Sequence, residues 1–225
     1  MPDGANHVAF SYSKDGKDRF TTVYPNLNLL AKTNKGADGW DWFLSDGDKR
    51  VEEVNVDGIR AVKLTKGTTT ANTGWNLIQY DGLQRNLIQP STKYTLSFDV
   101  KPSVDVTFDA TLARADKDKA LTDTATMNKA PANQWTKVSA VLTSKETLPD
   151  DSTQVVYLSG MPTANGNSLT IKNVKLEQGS TATPYMPSAS EVTAEDYPSY
   201  IGTYTDNNSN EQSTDPARYS WKKIK

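Results

Sequence analysis

Trp40 and Trp42 stand two residues apart in Gly39-Trp40-Asp41-Trp42-Phe43, a spacing that puts both indoles on one face of an extended chain. In Trp75-Asn76-Leu77-Ile78-Gln79-Tyr80 the same rule places Trp75, Leu77 and Gln79 on one side, with Asn76, Ile78 and Tyr80 on the other. Both sides mix polar and apolar members, so one of them is expected to line a groove. Gln84, Arg85 and Arg114 add planar groups able to hydrogen-bond hydroxyls or phosphate. Rings that stack on an apolar ligand surface, joined by a few convergent polar groups, make up a concave binding site. Trp40, Trp42, Trp75, Tyr80, Gln84 and Arg114 are therefore the candidate contacts. Trp135 opens a strongly alternating run and is expected in the core, and Trp221 is expected to pack the terminal segments.

Paired acids raise a different chemistry. Asp46 with Asp48, Glu52 with Glu53, and Asp116 with Asp118 resemble the two carboxylates that hydrolyse glycosides from opposite sides of a cleft. Each pair sits beside Lys or Arg in a turn-like or edge context, so a solvated role is the better expectation. Asp46-Gly47-Asp48 also lacks the spaced ligands of a calcium loop. With no cysteine, thiol nucleophiles, disulfides and thiolate metal sites are excluded. His7 is the only histidine, which removes triads and His-based zinc sites, and it is expected at the surface or in a turn.

Composition narrows the partners further. A net charge of -2 provides no field to gather nucleic acid or anionic lipid, so neither nucleic acid nor membrane is expected as a partner. No apolar run approaches the roughly 18 residues of a membrane span. The Met-Pro-Asp-Gly start lacks signal-peptide architecture, and it and the Ile-Lys end are read as the bounds of a piece of a longer polypeptide.

The elements that must carry these side chains alternate with period two. Strands are expected over 50–56, 59–66, 75–80, 93–101, 104–114, 135–142, 154–159 and 169–176. Asp57-Gly58, Asp81-Gly82, Lys101-Pro102-Ser103, Pro149-Asp150-Asp151 and Asn165-Gly166 supply the turns between them. Residues 116–133 are expected to form a long loop, and Ala189–Asp196 at most one helical turn. One apolar face per strand requires two sheets packed face to face, so the expected fold is an all-β, two-sheet jelly-roll β-sandwich. Its first strand, at Asn26-Leu27-Asn28-Leu29-Leu30, is expected beside its last, at 169–176.

Residues 1–25 and 197–225 are alike in being short, polar, turn-rich and aromatic. They are expected to form a small split host module interrupted by the sandwich at 26–188, with 189–196 as linker. A guest domain fits into a loop only when its own ends lie close together, as the jelly roll provides.

Several blocks carry a family likeness. The Asn-Leu-Leu-type opening, Gly39-Trp40-Asp41-Trp42, and the closing Ala164-Asn165-Gly166-Asn167 followed by Lys175-Leu176-Glu177 resemble carbohydrate-binding modules of the jelly-roll type. Such modules occur in tail and baseplate proteins of siphophages infecting Gram-positive, especially lactic acid, bacteria. The segments around Asp18-Arg19-Phe20-Thr21-Thr22 and Tyr200–Trp221 resemble a small accessory module of the same tail proteins. The resemblance implies a non-catalytic saccharide binder at the virion's tail tip or baseplate, with host cell-surface saccharide and other tail proteins as partners. It also implies that no cofactor is needed, apart from a calcium ion that related modules often hold between the first strand, here near Asn26, and an aspartate in the last. Asn173 stands in that position and removes a charge from the site. A structural tail domain, and less favourably a glycoside hydrolase, are the alternatives.

Overall fold

The computed structural model describes residues 5–42, 50–67, 77–113, 119–150, 154–160 and 164–224, with the side chains of Ala5, Asp41, Trp42 and Leu77 left aside. The described residues form thirteen strands: β1 (Ala5–Ser11), β2 (Trp40–Trp42), β3 (Arg50–Val56), β4 (Ile59–Thr65), β5 (Leu77–Tyr80), β6 (Lys93–Pro102), β7 (Asp109–Ala113), β8 (Ala125–Thr126), β9 (Thr136–Thr143), β10 (Val155–Ser159), β11 (Ser168–Gln178), β12 (Tyr200–Asp206) and β13 (Ser220–Lys223). Two compact units result, residues 1–27 with 183–225 and residues 28–182.

In the larger unit two antiparallel five-stranded sheets, ordered β2-β5-β10-β7-β8 and β3-β4-β11-β6-β9, make an all-β jelly-roll sandwich. Alternation decides what lies between them. Tyr94, Leu96, Phe98 and Val100 of β6 and Ala110 and Leu112 of β7 point inward and are fully buried. Phe98 meets Phe108 edge to face at 5.5 Å across this core. Burying side chains of this size contributes roughly 1.5–3 kcal/mol each. The β3–β4 hairpin closes through Asp57 and Gly58, both at positive φ (50° and 83°), the pair of left-handed residues that a two-residue hairpin loop demands.

β11 organises the sandwich. Its pairing with β6 slips between Lys172 and Lys175, where Asn173 takes φ 57°. Beyond Ile171 it no longer pairs with β4, and the opening segment takes over that edge. Leu29 N–H donates to Leu176 O at 2.8 Å. The buried Asn28 amide completes the join: Oδ1 accepts from Leu30 N and Leu176 N (both 3.0 Å), and Nδ2 donates to Val174 O (2.9 Å) and Thr33 Oγ1 (3.2 Å). The first and last segments of the jelly roll thus lie side by side. On the outward face of β11, the buried Lys175 ammonium stands 3.4 Å from the Glu177 carboxylate.

Strand boundaries follow the alternation closely, with two shifts. Regular pairing of β7 begins at Asp109, because Val106 bridges instead to Ala130 within the expected loop 116–133. That loop also contributes β8 and a bridge from Thr122 to Ser144.

The smaller unit is a three-stranded sheet, β1-β12-β13, a regularity the polar, turn-rich reading of its segments did not anticipate. Trp221 lies against Gly16 and Gly202, where an added Cβ would fall 2.2 Å and 2.8 Å from ring atoms, and its Nε1–H donates to Pro216 O at 2.9 Å. His7 departs from the expected surface position. Placed opposite Tyr204 in the β1–β12 register, it stacks on that ring at 4.5 Å, is 5% exposed, and meets Asp206 Oδ1 through Nε2 at 2.8 Å. A hydrogen-bond partner 199 residues away cannot be read from the local sequence around His7. The tract 188–196 folds onto itself here, with the Glu191 and Val192 N–H groups on Ser188 O and a reciprocal cap between Thr193 and Asp196.

Candidate saccharide-binding face

Of the expected contacts, the described rings of Trp40 and Tyr80 lie on the inward side of the first sheet. Trp40 and Tyr80 pair in the β2–β5 register and turn inward, with ring centroids 5.0 Å apart. Tyr80 is 1% exposed and its hydroxyl donates to Ala31 O, so its phenol is committed to the core. Trp40, at 7% exposure, packs in the same cluster. These two placements correct the expectation of ligand-facing rings, and the reason is parity: Trp40, in register with Tyr80, shares its buried side. Gln84 lies apart, its N–H on Leu29 O and its Oε1 buried without a hydrogen-bond partner among the described residues. Arg85 donates from Nη2 to Pro149 O at 2.6 Å. The Trp42 side chain, Trp75 and Arg114 lie outside the described residues.

The opposite side of the same sheet holds the better set. Tyr157 of β10 pairs with Gln79 of β5 and with Thr111 of β7, so three neighbouring strands present an amide, a phenol and a hydroxyl in one cross-strand row. Adjacent strands set such groups about 4.8 Å apart. Ile78, Val156, Leu158, Ala110 and Leu112 join the core cluster while Tyr157 does not, as alternation requires of an outward row. Gln79 is half-buried, Thr111 is 7% exposed, and Tyr157 between them is buried at 2% exposure. Thr111 Oγ1 is buried and has no hydrogen-bond partner among the described residues. An orphaned buried hydroxyl is costly unless a ligand or water meets it. The side of β5 bearing Gln79 was one of two that sequence parity left open. Tyr157 and Thr111 went unnoticed because, in sequence, polar members on the second side of an alternating strand look the same as ordinary solvated positions.

Charge at the acid pairs does not suit a cleft. Glu53 forms an ion pair with Arg60, whose guanidinium holds the carboxyl below the usual range, and both side chains are exposed. Asp46, Asp48, Asp116 and Asp118 lie outside the described residues.

At the position considered for calcium, the two asparagines have hydrogen-bond partners of their own. Asn173 donates from Nδ2 to Asp99 Oδ2 at 3.0 Å, turning an N–H toward the adjacent carboxylate. Asn26 is exposed, and its backbone N–H donates to Thr183 Oγ1. No three His, Cys, Asp or Glu residues gather among those described. Asn28 supplies by hydrogen bonds a link between opening segment and last strand.

A two-sheet jelly roll with a polar row on one outward face suits a recognition domain, and the sequence assigns the chain to a family of that class. Residues 31–165 match the carbohydrate binding domain family, and the chain belongs to that family. Among solved structures it is similar to the tripod (BppUct-A-L) from the baseplate of bacteriophage Tuc2009, with 29% identity and a TM-score of 0.67 over 100% of this chain and 80% of that one. It also resembles the arabinose-bound α-L-arabinofuranosidase MgGH51, with 10% identity and a TM-score of 0.52 over 76% of this chain and 29% of that one, a likeness of fold alone. No curated protein matches it significantly.

Proposed function

We propose that the chain binds carbohydrate without cutting it, as part of a phage baseplate that attaches the virion to polysaccharide of the host cell wall. The observation that carries this reading is the Gln79–Tyr157–Thr111 row, which offers an unpartnered hydroxyl on the outward face of a carbohydrate-binding sandwich. The Gln79 amide provides a donor and an acceptor to adjacent hydroxyls of one sugar, Thr111 Oγ1 completes a further bond, and the buried Tyr157 ring packs between them. Trp42 and Trp75 remain candidate stacking rings, and Arg114 a candidate polar contact.

A single wet, polar site of this kind holds its ligand at about the millimolar level, near -4 kcal/mol. Repeated on one particle, such sites raise each other's effective concentration and hold firmly together. Likeness to a baseplate tripod over the whole chain also supports contacts with other tail proteins. A purely structural role is the second reading, and that same likeness favours it.

Calorimetry with purified cell-wall polysaccharide separates the two. Saturable binding is expected, weakened about tenfold in Gln79→Ala and in Thr111→Val, each loss being the size of one good hydrogen bond. Undiminished affinity in both variants would overturn the assignment of the row.

A further inference from the structure

The second sheet has an outward feature of its own. In its register Glu52 pairs with Lys63, Lys63 with Thr170, and Thr170 with Lys101, a row on the side away from the core. Trp135 precedes β9 beside Lys101, since Thr136 pairs with Val100. Contrary to the core position expected for it, Trp135 is 38% exposed. Parity again gives the reason: Val138, Ala140 and Leu142 take the buried side of β9, leaving Trp135 in phase with Lys137 and Ser139. The indole, Lys101, Thr170 and the Val54–Asp57 end of the β3–β4 hairpin enclose a groove of about 430 Å³.

This groove has the parts of a sugar site and a charge of definite sign. Val54 and Val56 offer half-buried aliphatic surface opposite an exposed ring, and Asn55 and Thr170 offer polar atoms. The Lys172 ammonium lies 4.5 Å from the centre of the Trp135 ring, and Lys101 lines the groove. Neither lysine makes an ion pair with a described residue. The acids nearby are Asp57, on the lining, Glu52, which pairs with Lys63 in register, and Asp99, which pairs with Lys172 in register but already accepts the Asn173 amide. Lys63 and Lys137 extend the basic side of the same face. An ammonium beneath the indole strengthens attraction for an anion held beside the ring, while the ring's free surface suits C–H groups.

We propose that this groove is a second saccharide site, on the sheet opposite the first, taking a sugar that carries a phosphate or carboxylate group. The proposal rests on the reading of the chain as a carbohydrate binder, yet it uses different residues and is tested separately. Its test is a titration of the ¹⁵N-labelled 225-residue chain, followed at the Trp135 indole N–H, whose signal is assigned by its loss in Trp135→Ala. Glucose 1-phosphate, glucuronate and glucose are the probes. At least one acidic sugar is expected to move the signal at about a tenth of the concentration that glucose requires, a one-decade difference in Kd. Whichever acidic sugar does so identifies the preferred charge. Lys101→Gln and Lys172→Gln should each erode that preference, whereas Gln79→Ala should leave it intact and weaken only binding at the first face. Equal response to glucose and to both acidic sugars would overturn the proposal. So would an equal response to inorganic phosphate alone, which would mark an anion site without sugar recognition, or loss of the signal change in Gln79→Ala.

Discussion

Tyr12 shows how one side chain sets a pH limit. Its hydroxyl donates to Asp196 O at 2.8 Å, and the Arg19 guanidinium sits 3.7 Å from its ring centre. Burial pushes the phenol up to about 12, with Arg19 opposing. The unfolded chain releases this proton near pH 10, while the folded chain keeps it until about 12. Stability is therefore full below pH 10 and falls as pH rises through that window. Thermal melts from pH 9 to 11.5 should show a steeper alkaline loss for the wild type than for Tyr12→Phe. Parallel curves would contradict the assignment. At this same scale the sequence was only partly legible. Which way Trp40, Tyr80 and Trp135 turn depends on the face a strand buries, and local alternation gives two answers until the partner sheet chooses between them. His7 was misjudged for a related reason, since Tyr204 and Asp206 reach it only through pairing of the chain's ends.

Among the elements, β11 and the opening segment carry the most weight, for they close the sandwich and bring its ends together. Asn28 binds both sides of that closure with one amide. Removing it in Asn28→Ala leaves Val174 O, Leu30 N and Leu176 N without those bonds in a dry site. Each buried group so orphaned costs about 1–3 kcal/mol, so urea denaturation should show a loss of roughly 3 kcal/mol or more. A chelator should leave the wild-type transition where it was, because hydrogen bonds supply the link. A loss under about 0.5 kcal/mol, within the usual range of an inconsequential surface change, would show that the join holds without Asn28. Strands were the most legible feature of the chain: β3 runs over the expected 50–56, and β4, β6, β9 and β10 end within a residue or so of their alternating runs. The slip at Asn173 and the bridges inside 116–133 left no periodic signal to read.

At the scale of the whole molecule, the jelly roll accounts for how a small sheet made from both chain ends can coexist with a large domain inserted between them. The opening and last segments of the sandwich meet at Leu29 and Leu176, so the polypeptide enters and leaves on one side of the domain. Polar outward rows on both sheets suit repeated weak contacts with a polymer more than one tight contact with a small molecule. The saccharide-binding role was legible only through family likeness, because neither composition nor spacing distinguishes a sugar-binding row from an ordinary solvated strand face. The most direct measurement is fluorescent labelling of Gram-positive host cells by the isolated chain, displayed in several copies on a bead and competed with soluble wall polysaccharide. The account predicts labelling that the polysaccharide abolishes and that Gln79→Ala and Thr111→Val reduce. Capture of purified tail subunits by the same beads, with cells and polysaccharide both ignored, would contradict it.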